Sequence, residues 1–170
     1  FCDTCKNQYF PQTERIYFVS TRAIAWLKQK KIPFDVVHYD HEEKGATFAA
    51  QATGFPLEQT VKTLVVDLGG KSFGLALMPG DRQLSLKKLA KAFGVKKATM
   101  ADTASAERLT GYHVGGISPF GLRQRLPAVM EESLQRWDEV MINAGQRGAM
   151  LKMAPGDILK AIGCRMDSLI

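Results

Sequence analysis

Apolar positions along this chain alternate between helical spacing and strand spacing. Ala23, Ile24 and Leu27 follow a three-to-four-residue period after Ser20, a hydroxyl placed to cap a helix, and Pro33 stops the run. Residues 34–39 then read as a strand, and 47–53 as a short helix closed by Gly54. The clearest pattern is the pair 61–68 and 72–78, two apolar runs flanking Gly69-Gly70, which predicts a β-hairpin. Ser85 is positioned to cap a helix over 86–93 that Gly94 ends, and Asp102 opens another that stops at Gly111. Strands are predicted at 126–130, 139–143 and 149–153, with a last helix running from Pro155 to near Gly163. Hairpins interspersed with short helices predict an α+β domain rather than a doubly wound one.

Length and composition narrow this picture. A chain of 170 residues suits one domain with a sizeable core. Its 45% apolar and 24% charged residues fall in the ordinary globular range. No apolar run approaches the ~20 residues that a membrane-crossing helix needs, so a membrane partner is not expected. The first residues have neither an initiating Met nor the basic-then-apolar order of a signal peptide. Residues 1–19 are therefore treated as an N-terminal extension or appended segment, and 20–170 as the domain. Cys2 and Cys5 form a C-x-x-C without a second ligand pair, and Cys164 stands apart, so neither a zinc site nor a disulfide framework is predicted. An odd number of free thiols suits a reducing, cytoplasmic setting.

Charge adds a partner class. The net charge of +6 favours a polyanion, and Lys87, Lys88, Lys91, Lys96 and Lys97 crowd into eleven residues, with Arg123 and Arg125 following later. Acids concentrate instead at Glu131, Glu132, Asp138 and Glu139. A solvated helix face is the competing explanation for the lysines.

Familiar catalytic sets are missing. There is no G-x-S-x-G elbow, P-loop or dinucleotide fingerprint, which disfavours covalent serine chemistry, nucleotide hydrolysis and nicotinamide redox chemistry. His38-Tyr39-Asp40-His41 splits its ligand-type side chains between two faces of a strand, which disfavours a metal site. Lys62 is more suggestive, because apolar flanks on a predicted buried strand force its ammonium toward water, an anion or a cleft. The segment Thr110-Gly111-Tyr112-His113-Val114-Gly115-Gly116-Ile117-Ser118-Pro119-Phe120-Gly121 is the densest glycine cluster. Its missing Cβ atoms permit close backbone approach, and Pro119 stiffens the turn.

These pieces occur in one order: a helix and strand ending near His38-Tyr39, then Val61-Lys62-Thr63-Leu64, then 83–94, then Met100-Ala101-Asp102. The glycine segment, Arg125-Leu126-Pro127 and Gly145-Gln146-Arg147-Gly148 follow. In that order, from about residue 20 to the end, the chain resembles the YbaK/ProX family, free-standing relatives of the editing domain of bacterial prolyl-tRNA synthetases, and within it the cysteinyl-tRNA(Pro) deacylase branch. The resemblance implies a mixed, mostly antiparallel sheet or open barrel surrounded by short helices. It also implies an enzyme that removes wrongly attached amino acids from tRNA, foremost Cys-tRNA(Pro), without a cofactor or a metal.

The resemblance assigns residues as well. Lys62 corresponds to the family's functional lysine, placed near the 3′-terminal phosphate or the scissile ester. Gly115, Gly116, Ile117 and Ser118 form a backbone cradle for the ester and its ribose. Tyr39 matches a family tyrosine that lines the pocket, and Pro119, Asn143 and Met150 are expected to border the substrate with it; His113, at a position that varies in the family, is a further candidate there on its chemistry alone. Lys87, Lys88, Lys91 and Arg123 are the candidate contacts to tRNA phosphates. The chemistry asks for a held acyl carbon, a stabilised oxyanion and a placed nucleophile. One oxyanion donor is worth roughly 3–4 kcal/mol in other enzymes, so backbone donors suffice for an activated ester. In cysteine-specific relatives the substrate thiol attacks its own ester and leaves a thiolactone; otherwise water or the adjacent ribose hydroxyl attacks.

Two positions depart from the pattern. Many cysteinyl editors carry Ser and Asp where Asn143 and Met150 stand here, which opens the substrate to Ala, Ser or Thr. It also opens a second possibility, a non-catalytic tRNA- or synthetase-binding module, with prolyl-tRNA synthetase as candidate partner. A third, metal-dependent hydrolysis, would draw on His38, Asp40, His41 and His113. DNA is not an expected partner.

Overall fold

The computed structural model describes residues 20–40 and 45–170. The expected extension at 1–19, with Cys2 and Cys5, and His41 of the third possibility lie outside the described residues.

Thr21, not Ser20, caps the first helix. Its Oγ1 accepts from the Ile24 N–H at 3.2 Å and also donates to the Ala144 carbonyl, a long-range bond that Ser20, exposed one residue earlier, does not make. The helix α1 (Arg22–Gln29) turns Ala23, Ile24 and Leu27 into the core. Strand β1 (Asp35–His38) and helix α2 (Ala46–Thr53) follow, with Gly54 ending α2 at φ 69°. The hairpin forms as expected from β2 (Thr60–Gly69) and β3 (Ser72–Pro79). Ser85 caps α3 (Leu86–Phe93), and Gly94 takes the left-handed conformation past its end. A two-residue strand β4 (Thr99–Met100) precedes α4 (Thr103–Thr110), capped by Asp102 through the Ser105 N–H at 2.8 Å.

The remaining strands and α-helix are β5 (Ala128–Glu131), β6 (Val140–Asn143), β7 (Ala149–Met153), α5 (Pro155–Ile162) and β8 (Arg165–Asp167), and short 3-10 turns occupy Leu57–Gln59 and Glu132–Arg136. β5 begins two residues later than the pattern predicts, because Pro127 has no N–H for the ladder and offers only its carbonyl, which accepts from Leu75 at 2.8 Å. β8 and β4 were not predicted.

The strands form one open mixed sheet in the order β1-β7-β6-β2-β3-β5-β8, with β4 also on β2. β1-β7, β7-β6, β2-β3 and β2-β4 pair antiparallel, while β2-β6, β3-β5 and β5-β8 are parallel. One core packs α1 and α5 against Val61, Leu77, Ile142 and Leu151, and a second packs α3 against Val66, Ala76 and Val129. Among the described residues no helix is long and apolar enough to cross a membrane.

One irregularity places the site. The Thr60 carbonyl accepts from Gly80, beyond β3, whereas the Val65 carbonyl accepts from Ala101, beyond β4. Alternation along a strand therefore turns the backbone groups of Val61, Thr63 and Val65 away from β3. On that edge β6 covers only Thr60 and Val61, and β4 covers only Val66 and Asp67. Between them the central strand of the sheet has no paired strand on that edge among the described residues.

Candidate active site

A cavity of about 400 Å³ opens at this interruption. It is lined by Val61 through Val65 of β2, by Met100, Ala101 and Thr103 on the β4 side, and by Asn143 and Met150 on the β6-β7 side. Tyr39, Gly45, Ala46 and Ala49 close one wall, and Ala106, Val114, Gly115 and Ile117 the other. This size suits a small organic group.

Lys62 is half-buried on β2, opposite Met78. Its Nζ donates to the Arg82 carbonyl. Desolvation holds its pKa below the ordinary value of 10.5, and the nearby Asp81 carboxylate partly offsets that shift. Among the described residues, Lys62 is the one charged residue in the cavity lining, and its ammonium is held at Arg82, just outside that lining.

The glycine segment reaches the cavity through Val114, Gly115 and Ile117. Gly115 has φ 93°, a left-handed conformation that favours glycine. Gly116 lies behind it, buried, where an added Cβ would sit 3.1 Å from the Gln146 Cα and 3.2 Å from the Arg147 N. The two glycine-bearing turns therefore meet backbone against backbone. Arg147 ties them further by donating to the Val114 carbonyl at 3.2 Å. Tyr112 braces the other end: its hydroxyl donates to the Phe120 carbonyl at 2.6 Å, while the Arg22 guanidinium sits 4.8 Å from its ring centroid and donates to the Thr110 carbonyl at 2.8 Å. Burial pushes the Tyr112 phenol up, which keeps it a neutral donor.

The structure thus gathers Lys62, Gly115, Ile117, Tyr39, Asn143 and Met150 around one cavity. Gly116, Ser118 and Pro119 are buried outside its lining; the Ser118 Oγ accepts from the Phe120 N–H at 3.4 Å. His113 is turned to solvent, its side chain 92% exposed, with Nδ1 3.3 Å from Glu107 Oε1. Asn143 Oδ1 accepts from the Gly145 N–H at 2.7 Å, which leaves its amide hydrogens as the groups to offer a ligand. Met150 is buried with Ala49 and Met141 in a small apolar cluster that Tyr39 flanks. Lys87, Lys88, Lys91 and Arg123 are all exposed, away from the cavity lining. Lys88 is partly engaged, since its Nζ donates to the Ile170 carbonyl and lies 3.3 Å from the Ser168 Oγ.

Sequence reasoning passed over Thr63. Its Oγ1 is the one buried side-chain oxygen without a hydrogen-bond partner among the described residues, and it borders the cavity. An unmet buried hydroxyl costs about 1–3 kcal/mol. In sequence, a threonine on a strand is too common to signal anything, and only its place beside Lys62 would have drawn notice.

Residues 41–161 match the profile of the aminoacyl-tRNA editing domain. The chain is 35% identical over 142 residues to an Enterococcus faecalis protein named "Putative Cys-tRNA(Pro)/Cys-tRNA(Cys) deacylase EbsC", with 82% of this chain and 86% of that protein covered. It is 33% identical over 144 residues to the "Multifunctional Ser/Thr-tRNA deacylase ProXp-y" of Escherichia coli K12, covering 82% and 85%. Among solved structures it is similar to one titled "Crystal structure of a putative trans-editing enzyme for prolyl tRNA synthetase", with a TM-score of 0.80, 30% identity, and 87% and 94% of the two chains covered.

Proposed function

The chain belongs to the family of aminoacyl-tRNA editing domains, and from that premise we propose that it is a trans-editing deacylase that clears mischarged tRNA(Pro), with Cys-tRNA(Pro) as its first substrate. The observation that carries this reading is the cavity at the break in the sheet, whose lining includes both Lys62 and the glycine-built backbone loop. Lys62 supplies positive charge for the terminal phosphate or for the oxyanion that develops as the ester breaks. Gly115 and Ile117 supply backbone N–H groups that form no hydrogen bond among the described residues. Gly116, Ser118 and Pro119 act from behind by fixing that loop. The chemistry then needs a nucleophile that the substrate or solvent brings: the cysteinyl thiol, the neighbouring ribose hydroxyl or water.

Asn143 and Met150 border the acyl group and bear on its identity. The Asn143 amide hydrogens are suited to a hydroxyl or thiol, and Met150 offers a polarisable apolar wall. This donor supports a second reading, an editor of seryl- or threonyl-tRNA. A synthetase rejects a near-isosteric or smaller amino acid by only ~1–3 kcal/mol per methylene, which is why a separate sieve is useful. Exposed Lys87, Lys91 and Arg123 are assigned to tRNA phosphates, and prolyl-tRNA synthetase is the proposed protein partner. A deacylation panel of Cys-, Ala-, Ser-, Thr- and Pro-tRNA tests the reading. Turnover of Cys-tRNA(Pro) by the wild type and its loss in Lys62→Ala are expected; tRNA binding without turnover of any substrate would instead select the non-catalytic module.

A further inference from the structure

The interruption in the sheet leaves an unmet set of hydrogen-bonding groups that the proposed reaction does not yet use. Thr63 turns its backbone N–H and C=O away from β3, on an edge that neither β6 nor β4 reaches. Its hydroxyl is also without a partner, and the residue lines the cavity. The open stretch between the Val61 and Val66 pairings is about 16 Å long at ~3.3 Å per residue, and the N–H of Val65 shares it. Two unmet backbone groups on one residue, inside a sheet and beside a cavity, match what the missing residue of a neighbouring strand would satisfy, and the buried hydroxyl of the same residue is unmet as well.

Resting on the deacylase reading, we propose that the aminoacyl group docks opposite Thr63, pairing with it as a strand residue would in the open stretch between β6 and β4. Its α-amine donates to the Thr63 carbonyl, and its ester carbonyl accepts from the Thr63 N–H, the exchange made by a hydrogen-bonded antiparallel pair. In such a pair the two side chains stand on the same face of the sheet, close enough to interact. The substrate side chain therefore lies beside that of Thr63, and rotation about one bond brings the threonine hydroxyl to a short hydroxyl or thiol. This makes Thr63 a specificity-determining residue that favours Ser and Cys over Ala, while Lys62, facing the other side of the strand, remains with the ester and phosphate.

The backbone part is tested with a non-hydrolysable probe, 3′-deoxy-3′-(L-serylamino)adenosine, titrated into the full chain with amide hydrogen exchange read by NMR. The Thr63 amide is expected to exchange at least tenfold more slowly at saturation, and the counterpart lacking the α-amine to bind at least tenfold more weakly. Binding that perturbs Gly115 yet leaves the Thr63 amide exchanging at its free rate overturns the docking mode alone. Absence of any binding together with absence of deacylation by the wild type overturns the functional reading and this inference with it. The side-chain part is tested with Thr63→Val and Thr63→Ser. Removing a hydroxyl that has no partner leaves Tm unchanged or raised, whereas kcat/KM for Ser-tRNA and Cys-tRNA falls about tenfold, that for Ala-tRNA does not, and Thr63→Ser restores it. A lowered Tm, or equal losses on all three substrates, refutes the specificity role.

Discussion

Substituting Gly116 by Ala probes how far the proposed chemistry depends on two backbones touching. The added Cβ would lie 3.1 Å from the Gln146 Cα and 3.2 Å from the Arg147 N and the Gln146 C, all main-chain atoms that cannot rotate aside. Ordinary contact begins at 3.4 Å, so one turn must retreat by about 0.3 Å. Overpacking of this kind costs about 1–3 kcal/mol. At ~2–4 °C per kcal/mol for a domain of this size, Tm falls by roughly 2–12 °C. The same retreat carries Gly115 and Ile117 off position. If a 1 Å misplacement costs ~100-fold, 0.3 Å taken logarithmically is worth roughly fourfold in kcat. Single-turnover deacylation of Cys-tRNA(Pro), run well below Tm, measures it, with Gly156→Ala as control because nothing lies within 4 Å of its added Cβ. A Gly116→Ala enzyme with lowered Tm but wild-type single-turnover rate would refute the idea that this loop positions the ester.

Other expectations follow from single groups. Because burial holds Lys62 below 10.5, the unfolded chain binds that proton more tightly; stability rises with pH between the folded value and 10.5, and the penalty is full below it. Lys62→Met should therefore abolish deacylation while leaving Tm at pH 7 unchanged or higher, and the wild-type rate above background should decline at lower pH than an ordinary lysine would dictate. Glu131 is only 2% exposed and accepts from the Leu169 and Ser133 N–H groups at 2.6 and 3.2 Å. Glu131→Ala orphans both and should lower stability by about 2–5 kcal/mol in denaturant melts. Lys87→Ala and Lys91→Ala should each reduce the slope of log affinity against log salt for tRNA by about 0.7–0.9. Lys88→Ala should do so less, since its Nζ is shared with Ser168 and Ile170.

The elements legible in the sequence were those with local punctuation. The hairpin had Gly69-Gly70 between two apolar runs, and α3 and α4 had both a capping side chain and a closing glycine. Elements defined only by what they pair with were not legible. β4 has two exposed residues, and β8 has an exposed charge at each end, so neither carries a period of its own. Ser20 and Thr21 are equivalent as local caps, and the choice falls to Thr21 through a distant partner at Ala144. The candidate site divides in the same way. Lys62 was conspicuous as a charge in an apolar strand, and the glycines as a composition. Thr63 was invisible, because its importance lies in the absence of a neighbouring strand, which only the register of β4 and β6 reveals.

That register has a bearing on how the protein behaves in solution. A row of unmet amides and carbonyls at the perimeter of a sheet invites another chain to add on, and natural proteins guard such rims with charge, proline or short strands. Here the same bonding capacity is enclosed within the sheet, bounded by Asn143 at one end and Ala101 at the other. An intruding strand of ordinary length does not fit there. A hazard for assembly at the rim thereby becomes, in the interior, a short slot suited to the end of a longer molecule.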